Sequence, residues 1–365
     1  MKVLVVAPKI CSPWSEGRKK FVRDFLLQAM ERWSVHALIT IDEGESTEIA
    51  APYDVIEVSS GWEHIALMRR DLSACIDQVQ PDLVCHFPFG AFSGVRGIAN
   101  LWIINSVENL CRKKQVVCCT LMYSLTSEAN RFFHNFFLRD VYFNQYIKSD
   151  RNVRFGVRLP ATNAINKNKN KKCLLFMAGM AEETCERLNY VLDVRGLRFL
   201  LKAGAQLQNL GFSLIVGVPL LKNEKLLAIL KEDSDNTWVE NNIDYLSVVS
   251  VPDIYENIGA FVFPYAQEEF QFVPTSIVEA MHYGVPVFLP NLKFLSPFYD
   301  GKEKSLVYKN NDIVSFITQI NRFTSEDGLS EKLQIEAKKF IDKEYDINNT
   351  LIDVEDIYEK LSSSL

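Results

Sequence analysis

The residues best placed to do chemistry lie between Phe261 and Leu289. An apolar run, Ala260 to Tyr265, gives way to an acidic, aromatic loop, Gln267-Glu268-Glu269-Phe270-Gln271-Phe272-Val273, and then to Ser276-Ile277-Val278-Glu279. That tetrapeptide has the spacing of a capping box, with Ser at the N-cap and Glu three residues on, reaching back to free backbone N–H groups. Gly284 and Pro286 stop the predicted helix, and Val285 to Leu289 reads as the next buried strand. Strand, loop, capped helix and strand place the helix N-terminus at the carboxyl end of the first strand, where open α/β sheets bind ligands. Unpaired N–H groups and a positive dipole end suit a phosphate or diphosphate there. Glu279 has two compatible readings: it caps its own helix, or its carboxylate also accepts hydrogen bonds from a ribose or sugar diol beside the phosphate.

Other candidates are weaker alone. The loop Pro8 to Arg18 follows the first apolar strand, and Gly17 at its end allows close backbone approach to a ligand at a helix N-terminus. Arg18, Lys19 and Lys20 serve an anion or form a solvated helix start. His86, in Cys85-His86-Phe87-Pro88, closes another strand at its carboxyl end, although a lone histidine among aromatics is more often structural. Asp233-Ser234-Asp235 spells the Asp-x-Asp of metal-dependent sugar transferases, but it follows a charged helix end and reads as a turn. Metal-ligand spacing, a Walker A motif and a Gly-x-Ser-x-Gly elbow are all absent from the sequence.

The elements that must position these residues alternate regularly. Short apolar strands (Val3–Ala7, Val35–Ile41, Val55–Val58, Leu83–His86, Val116–Met122) are interleaved with helical patterns at Gly17–Trp33 and Gly97–Lys113. This is the pattern of βαβ units and a parallel sheet. A polar Asn/Lys tract from Pro160 to Lys172 can bury nothing and marks a domain boundary. Beyond it the alternation restarts with strands at Cys173–Met177, Phe212–Val216 and Trp238–Glu240, and helices at Gly196–Leu210 and Glu224–Lys231. Helical stretches at Ser330–Lys343 and Ile347–Leu361 end the chain. The domains expected are 1–160, a linker at 161–172, 173–345, and a terminal helix at 346–365, with a ligand between two similar α/β halves.

With 365 residues, 48% apolar and 24% charged, the chain has material for two cores. A net charge of −6 argues against a general nucleic-acid binder. Eight cysteines without zinc-type spacing read as reduced, buried thiols of a cytoplasmic protein. A signal peptide and an apolar stretch of transmembrane length are both missing from the expected organisation. Phe132, Phe133, Phe136 and Phe137, flanked by Arg131 and Arg139, form a helical stripe read as core, or as a patch making weak peripheral membrane contact.

The segment Glu279-Ala280-Met281-His282-Tyr283-Gly284-Val285-Pro286-Val287 resembles the Glu-Ala-Met-x-x-Gly-x-Pro-Val signature of GT-B glycosyltransferases of the family-4, or group 1, type. In that family a Glu-x-Phe-Gly element precedes it, with seven residues between the two glutamates. That register places Gln271 at the first Glu, while Glu268-Glu269-Phe270 carries the Glu-x-Phe pattern with a spacer three residues longer. The resemblance covers nearly the whole chain and implies the GT-B fold, two Rossmann-like βαβ domains facing a central cleft, with the C-terminal helix at 346–365 crossing back to the N-terminal domain. It also implies Lys-Gly or Arg-Gly at the start of a helix in the second domain, matched by Arg195-Gly196, whose cation faces the donor's diphosphate. The fork of an arginine suits two phosphate oxygens; the plainer alternative is a surface ion pair with Asp193 or Glu186. Gly179-Met180 stands where the family has Gly-Arg, with Arg187 as a substitute, and Tyr123 stands near where it has a histidine.

Carried onto this chain, the resemblance assigns catalysis to Arg195, Glu269 and Glu279. Substrate binding is expected at Gly17, Tyr123, His86, Glu268, Gln271, Phe272, Val273, Thr275 and Ser276. It implies a retaining transferase, without metal or cofactor, that moves a sugar from a nucleoside diphosphate donor to a saccharide or lipid-linked acceptor. A non-catalytic GT-B partner of another transferase and a nucleotide-sugar epimerase are the alternatives.

Overall fold

Apolar strands spaced by helices pair here into two parallel sheets. The computed structural model describes residues 1–8, 17–41, 54–59, 65–88, 94–122, 124–126, 141–144, 152–159, 172–178, 188–217, 243–246, 251–268, 270–272, 274–301 and 303–363. The chain divides into two units: Met1–Arg158 with Glu269–Val273 and Glu344–Leu365, and Leu159–Glu268 with Pro274–Lys343. The tract 160–171, the predicted elements at Glu224–Lys231 and Trp238–Glu240, and the phenylalanine stripe lie outside the described residues.

The first unit holds a seven-stranded sheet. Its strands are β1 (Lys2–Pro8), β2 (Ser34–Ile41), β3 (Asp54–Ser59), β4 (Leu83–His86), β5 (Val117–Met122), β7 (Val141–Asn144) and β8 (Asn152–Val153), in spatial order β3-β2-β1-β4-β5-β7-β8. β6 (Ser124–Thr126) stands apart from this sheet and pairs antiparallel with β13 (Phe270–Phe272), Gln271 facing Leu125 in register. Helices α1 (Gly17–Ala29), α2 (Ile65–Val79) and α3 (Gly94–Lys113) make the crossovers. Leu72, Cys75 and Ile76 of α2 and Val107 and Cys111 of α3 bury one helix face against Leu4, Val6 and Val84 of the strands. Elsewhere in the unit, Phe21 stacks on Phe155 with ring centroids 4.6 Å apart, and Phe25 meets Phe87 edge-on at 5.1 Å. All six cysteines among the described residues are buried free thiols.

The second unit holds β9 (Cys173–Met177), β10 (Ser213–Gly217), β11 (Ile243–Leu246), β12 (Ala260–Val262), β14 (Val287–Pro290) and β15 (Leu306–Tyr308), in the order β11-β10-β9-β12-β14-β15. Its helices are α4 (Leu197–Lys202), α5 (Gly204–Asn209), α6 (Val251–Asn257), α7 (Thr275–His282), α8 (Ile313–Ser325) and α9 (Leu329–Glu344). The single helix expected over Gly196–Leu210 is thus two, separated at Ala203, and Gly196 lies outside it in the left-handed region at φ 83°. The core joins Leu174 and Phe176 to Leu200, Leu207, Phe288 and Phe316. Phe199 lies flat on Tyr308 at 5.6 Å, and Phe316 meets both edge-on. Among the described residues, no helix is long and apolar enough to cross a membrane.

Helix α10 (Ile347–Ser362) belongs to the first unit, where it packs on α1, β5 and β8. Thr350, fully buried, donates its hydroxyl to the Arg154 carbonyl at 2.7 Å and accepts the Gly156 N–H at 2.9 Å. The Arg154 guanidinium forks onto Asp353, and Trp33 Nε1 donates to Glu355 at 2.9 Å. Gly156 makes this seam possible, because a Cβ there would lie 2.4 Å from the Asp346 carbonyl oxygen. Gly156→Ala is therefore expected to destabilise the first unit by roughly 1–3 kcal/mol through overpacking. A guanidinium midpoint equal to that of the parent would show that the seam yields.

Candidate functional site

A parallel sheet offers a ligand site where consecutive strands depart to opposite sides, since the loops leaving their carboxyl ends separate there. In the second unit that point lies between β9 and β12: the chain steps from β9 through β10 to β11 on one side, then continues from β12 to β14 and β15 on the other. Arg195 stands on the segment between β9 and β10, and Phe263–Glu268 is the loop leaving β12. The structure thus brings two of the predicted candidates, Arg195 and Glu268, onto the two loops that flank the switch point.

Main-chain contacts join these loops. Ala266 N–H donates to the Val194 carbonyl at 3.0 Å. Gly196 approaches Pro264 so closely that a Cβ would sit 1.9 Å from the Pro264 oxygen. With φ at 83° as well, position 196 accepts only glycine without strain. Arg195 itself follows a π-helical turn, Tyr190–Val194, closed by its own N–H donating to the Tyr190 carbonyl at 2.9 Å. Its guanidinium carbon lies 5.4 Å from the ring centre of Tyr190 and 5.4 Å from that of Tyr265. Asp193, one of the two acids that could have formed a surface pair with Arg195, instead takes Arg198 at 2.7 Å; Glu186, Arg187 and Met180 lie outside the described residues.

Glu268 spends one carboxylate oxygen on the Lys293 N–H at 2.7 Å. It thereby holds the start of a 3₁₀ turn, Lys293–Phe298, at the carboxyl end of β14. The next strand contributes as well: Asn310, just after β15, donates its amide to the Ala266 carbonyl at 3.1 Å. Glu269 and Val273 lie outside the described residues, and Gln271 and Phe272 are described only as backbone in the ribbon with β6.

The capping box expected at Ser276 is not formed. Helix α7 begins at Thr275 with Pro274 as N-cap and no side-chain cap, so Ser276 is already the second helical residue. Proline fixes φ and starts the helix two residues earlier than Ser276 would have. Glu279 consequently sits too far inside the helix to reach the N-cap. It is buried beside Tyr255, whose phenol is pushed well above its usual pKa by burial first and then by the negative charge of Glu279 and by Tyr283. The Tyr255 hydroxyl donates to the Ser276 carbonyl at 3.3 Å, and its ring stacks on Tyr283. At the other end the helix closes as predicted at Gly284, φ 63°, in a Schellman arrangement: Val285 N–H to Ala280 and Gly284 N–H to Met281. His282 bonds Asp342 of α9 at 2.9 Å, anchoring the same helix.

In the first unit the switch point lies between β1 and β4. Gly17 opens α1 after the β1 loop, and His86 is the last residue of β4, so both candidates stand at that point. His86 is buried and pairs through Nδ1 with the Thr120 hydroxyl at 3.3 Å. Burial pushes its pKa down to about 3, so it is a neutral imidazole. Lys20 pairs with Asp24 at 2.8 Å, and the same carboxylate accepts the Arg158 N–H. Tyr123 lies outside the described residues.

Tyr190, Tyr265, Asn310 and Thr120 are not visible as candidates in the sequence. Tyr190 and Arg195 are five positions apart, a spacing that places side chains on different faces of an α-helix, and only the π-turn aligns them. Tyr265 closes an apolar run and reads as core, which it also is.

Residues 184–326 match the family model described as Glycosyl transferases group 1. A search of curated proteins finds no match to the sequence. Among solved structures, a glycosyltransferase from Rickettsia africae ESF-5 aligns over 98% of each chain with a TM-score of 0.70 at 15% identity. The Anabaena protein HepE, solved with UDP and glucose, aligns over 100% of each chain with a TM-score of 0.64 at 13% identity. Sucrose-phosphate synthase from Thermosynechococcus elongatus aligns over 100% of each chain with a TM-score of 0.63 at 11% identity. At such identities the likeness carries the fold, and the two Rossmann-like parallel sheets found here are that fold. Over residues 184–326 the chain is similar to the group 1 glycosyltransferases, and its two Rossmann-like sheets have the GT-B fold.

Proposed function

We propose that this chain transfers a sugar from a nucleoside diphosphate sugar to a saccharide or lipid-linked acceptor, retaining the configuration of the sugar and using no metal ion. The second unit takes the donor and the first unit the acceptor. The observation that carries the reading is the placement of Arg195 at the β9/β12 switch point, on a loop whose backbone is locked by Gly196 and Ala266. Breaking the bond between the sugar and the diphosphate leaves a negative charge on the departing phosphate. A guanidinium fixed beforehand stabilises that charge without reorganising. The departing phosphate oxygen takes the proton of the acceptor hydroxyl, and the protein's part is positioning.

Glu279 serves the donor's ribose from within α7. For the donor sugar, Glu269 supplies the carboxylate, because its neighbour Glu268 is engaged in holding the Lys293 turn. His86, neutral and buried at the first unit's switch point, offers a hydrogen bond that does not change with pH in the physiological range. The known binding of UDP and glucose by HepE makes a UDP-sugar the first donor to test. Cytoplasmic placement, with any membrane contact peripheral, completes the proposal.

Thermal melting with UDP, GDP and ADP tests the donor directly. The one that binds should raise the melting temperature, by an amount equivalent to about 2.7 kcal/mol at a hundredfold excess over Kd. Three flat titrations would sink the donor reading. Arg195→Ala is expected to lower transfer about 10²–10³-fold with the melting temperature unchanged, as for removal of one charge-stabilising donor; Arg195→Lys should recover much of it. Glu279→Ala should weaken donor binding, whereas unchanged affinity with earlier melting would reduce Glu279 to a structural residue.

His86 predicts a pH dependence of stability. Its pKa is lowered from 6.5 to about 3 on folding, so between those values the unfolded chain binds a proton that the folded chain does not. Stability therefore falls as pH drops through this window, by about 1.4 kcal/mol per unit for this group. His86→Gln should flatten the slope of urea-derived stability against pH; identical slopes in parent and variant would place the titration elsewhere.

A further inference from the structure

We infer that Tyr190 and Tyr265 form an aromatic clamp that positions the Arg195 guanidinium for the departing phosphate, a role that rests on the donor reading above. An arginine on a loop samples many rotamers, and its value to a developing charge depends on being in place beforehand. Here the two ring centres are equidistant from the guanidinium carbon, at 5.4 Å each, within the range where a ring face attracts a cation. The tyrosine hydroxyls lie 3.3 Å apart, so a hydrogen bond ties one ring to the other.

Each ring is fixed by different means. Tyr265 has no exposed surface, lies flat against Phe263 at 5.6 Å and meets Phe294 edge-on at 5.8 Å, so it cannot swing. Tyr190 is half-buried and owes its place to the π-turn. In an α-helix a residue five positions on lies about 140° around the axis, which would carry Arg195 away from the Tyr190 ring. The wider π-turn, closed by Arg195 N–H to Tyr190 O, brings the side chain back over it. A π-turn costs regular helix hydrogen bonding, and such turns recur where a side chain must be re-aimed at a functional site. The loop from β12 supplies the second ring, and the Gly196–Pro264 and Val194–Ala266 contacts fix its distance from the first. A cation placed over two ring faces is attracted to both, which narrows the positions it can take.

Calorimetric titration of the intact chain with UDP and UMP, and with GDP and GMP, separates this role from simple packing. The preference for the diphosphate over the monophosphate reads the contact to the terminal phosphate. Tyr190→Leu is expected to cut that preference roughly tenfold, between the scales of an exposed and a desolvated cation–π contact, with monophosphate affinity and melting temperature close to the parent's. Tyr190→Phe, which keeps the ring, should recover most of the preference. Tyr190 carries the test because Tyr265 is a core residue whose truncation endangers folding. If Arg195→Ala loses the preference and Tyr190→Leu retains it, the clamp is wrong. If Tyr190→Leu weakens monophosphate and diphosphate equally, the ring is only structural and the proposal fails. If Arg195→Ala itself keeps the preference, or the parent binds none of the four nucleotides, the donor reading falls and the clamp with it.

Discussion

The second unit turns on one close approach, the Gly196 backbone against the carbonyl of Pro264. A parallel sheet separates the loops at its switch point, and something must draw them together again if side chains from both are to act on one ligand. Here it is van der Waals contact between main chains, possible only because residue 196 has no Cβ and tolerates a positive φ. From that contact follow the Val194–Ala266 hydrogen bond, the register of Tyr265 beside Tyr190, and the place of Arg195.

A second layer of the same edge is held by side chains that bond to backbone. Glu268 fixes the Lys293 turn, Asn310 fixes the Ala266 carbonyl, and Tyr255 fixes that of Ser276. The first two satisfy main-chain groups that a loop or the start of a helical turn leaves unpaired, and the third bonds a carbonyl within α7. The loops around the switch point are therefore stiffened from three directions. This agrees with the requirement that charge-stabilising groups be in position before the reaction.

Much of this was legible in the sequence, for physical reasons that differ by element. Buried parallel strands are continuous apolar runs with few alternatives, so Leu83–His86 and Cys173–Met177 emerge with the bounds they were expected to have. Gly284 was readable as a helix stop because a left-handed C′ position selects glycine so strongly. Ser276 misled, since Ser-x-x-Glu spacing also arises inside a helix, and Pro274 set the start instead. The helix at Ile65–Val79 and the strand at Ile243–Leu246 were not anticipated. Arg195 could be nominated, but its aromatic surroundings could not: a π-turn has no hydrophobic period to read, and Tyr265 comes from a segment seventy positions further along.

The seam between Gly156 and Thr350 bears on how the chain acquires its structure. Its partners are 194 positions apart, and Trp33 and Glu355 are 322 apart. The first unit thus encloses the second within its own sequence, as a bracket encloses a clause. During synthesis its sheet emerges first yet lacks the helix that covers α1 and β5, while the intervening unit can close on nearer contacts. The apolar face awaiting that helix, which carries Leu351 and Val354, stays uncovered for the longest part of the process. Vulnerability to aggregation and to chaperone capture should accordingly concentrate on the unit made first, and end only when the last helix docks.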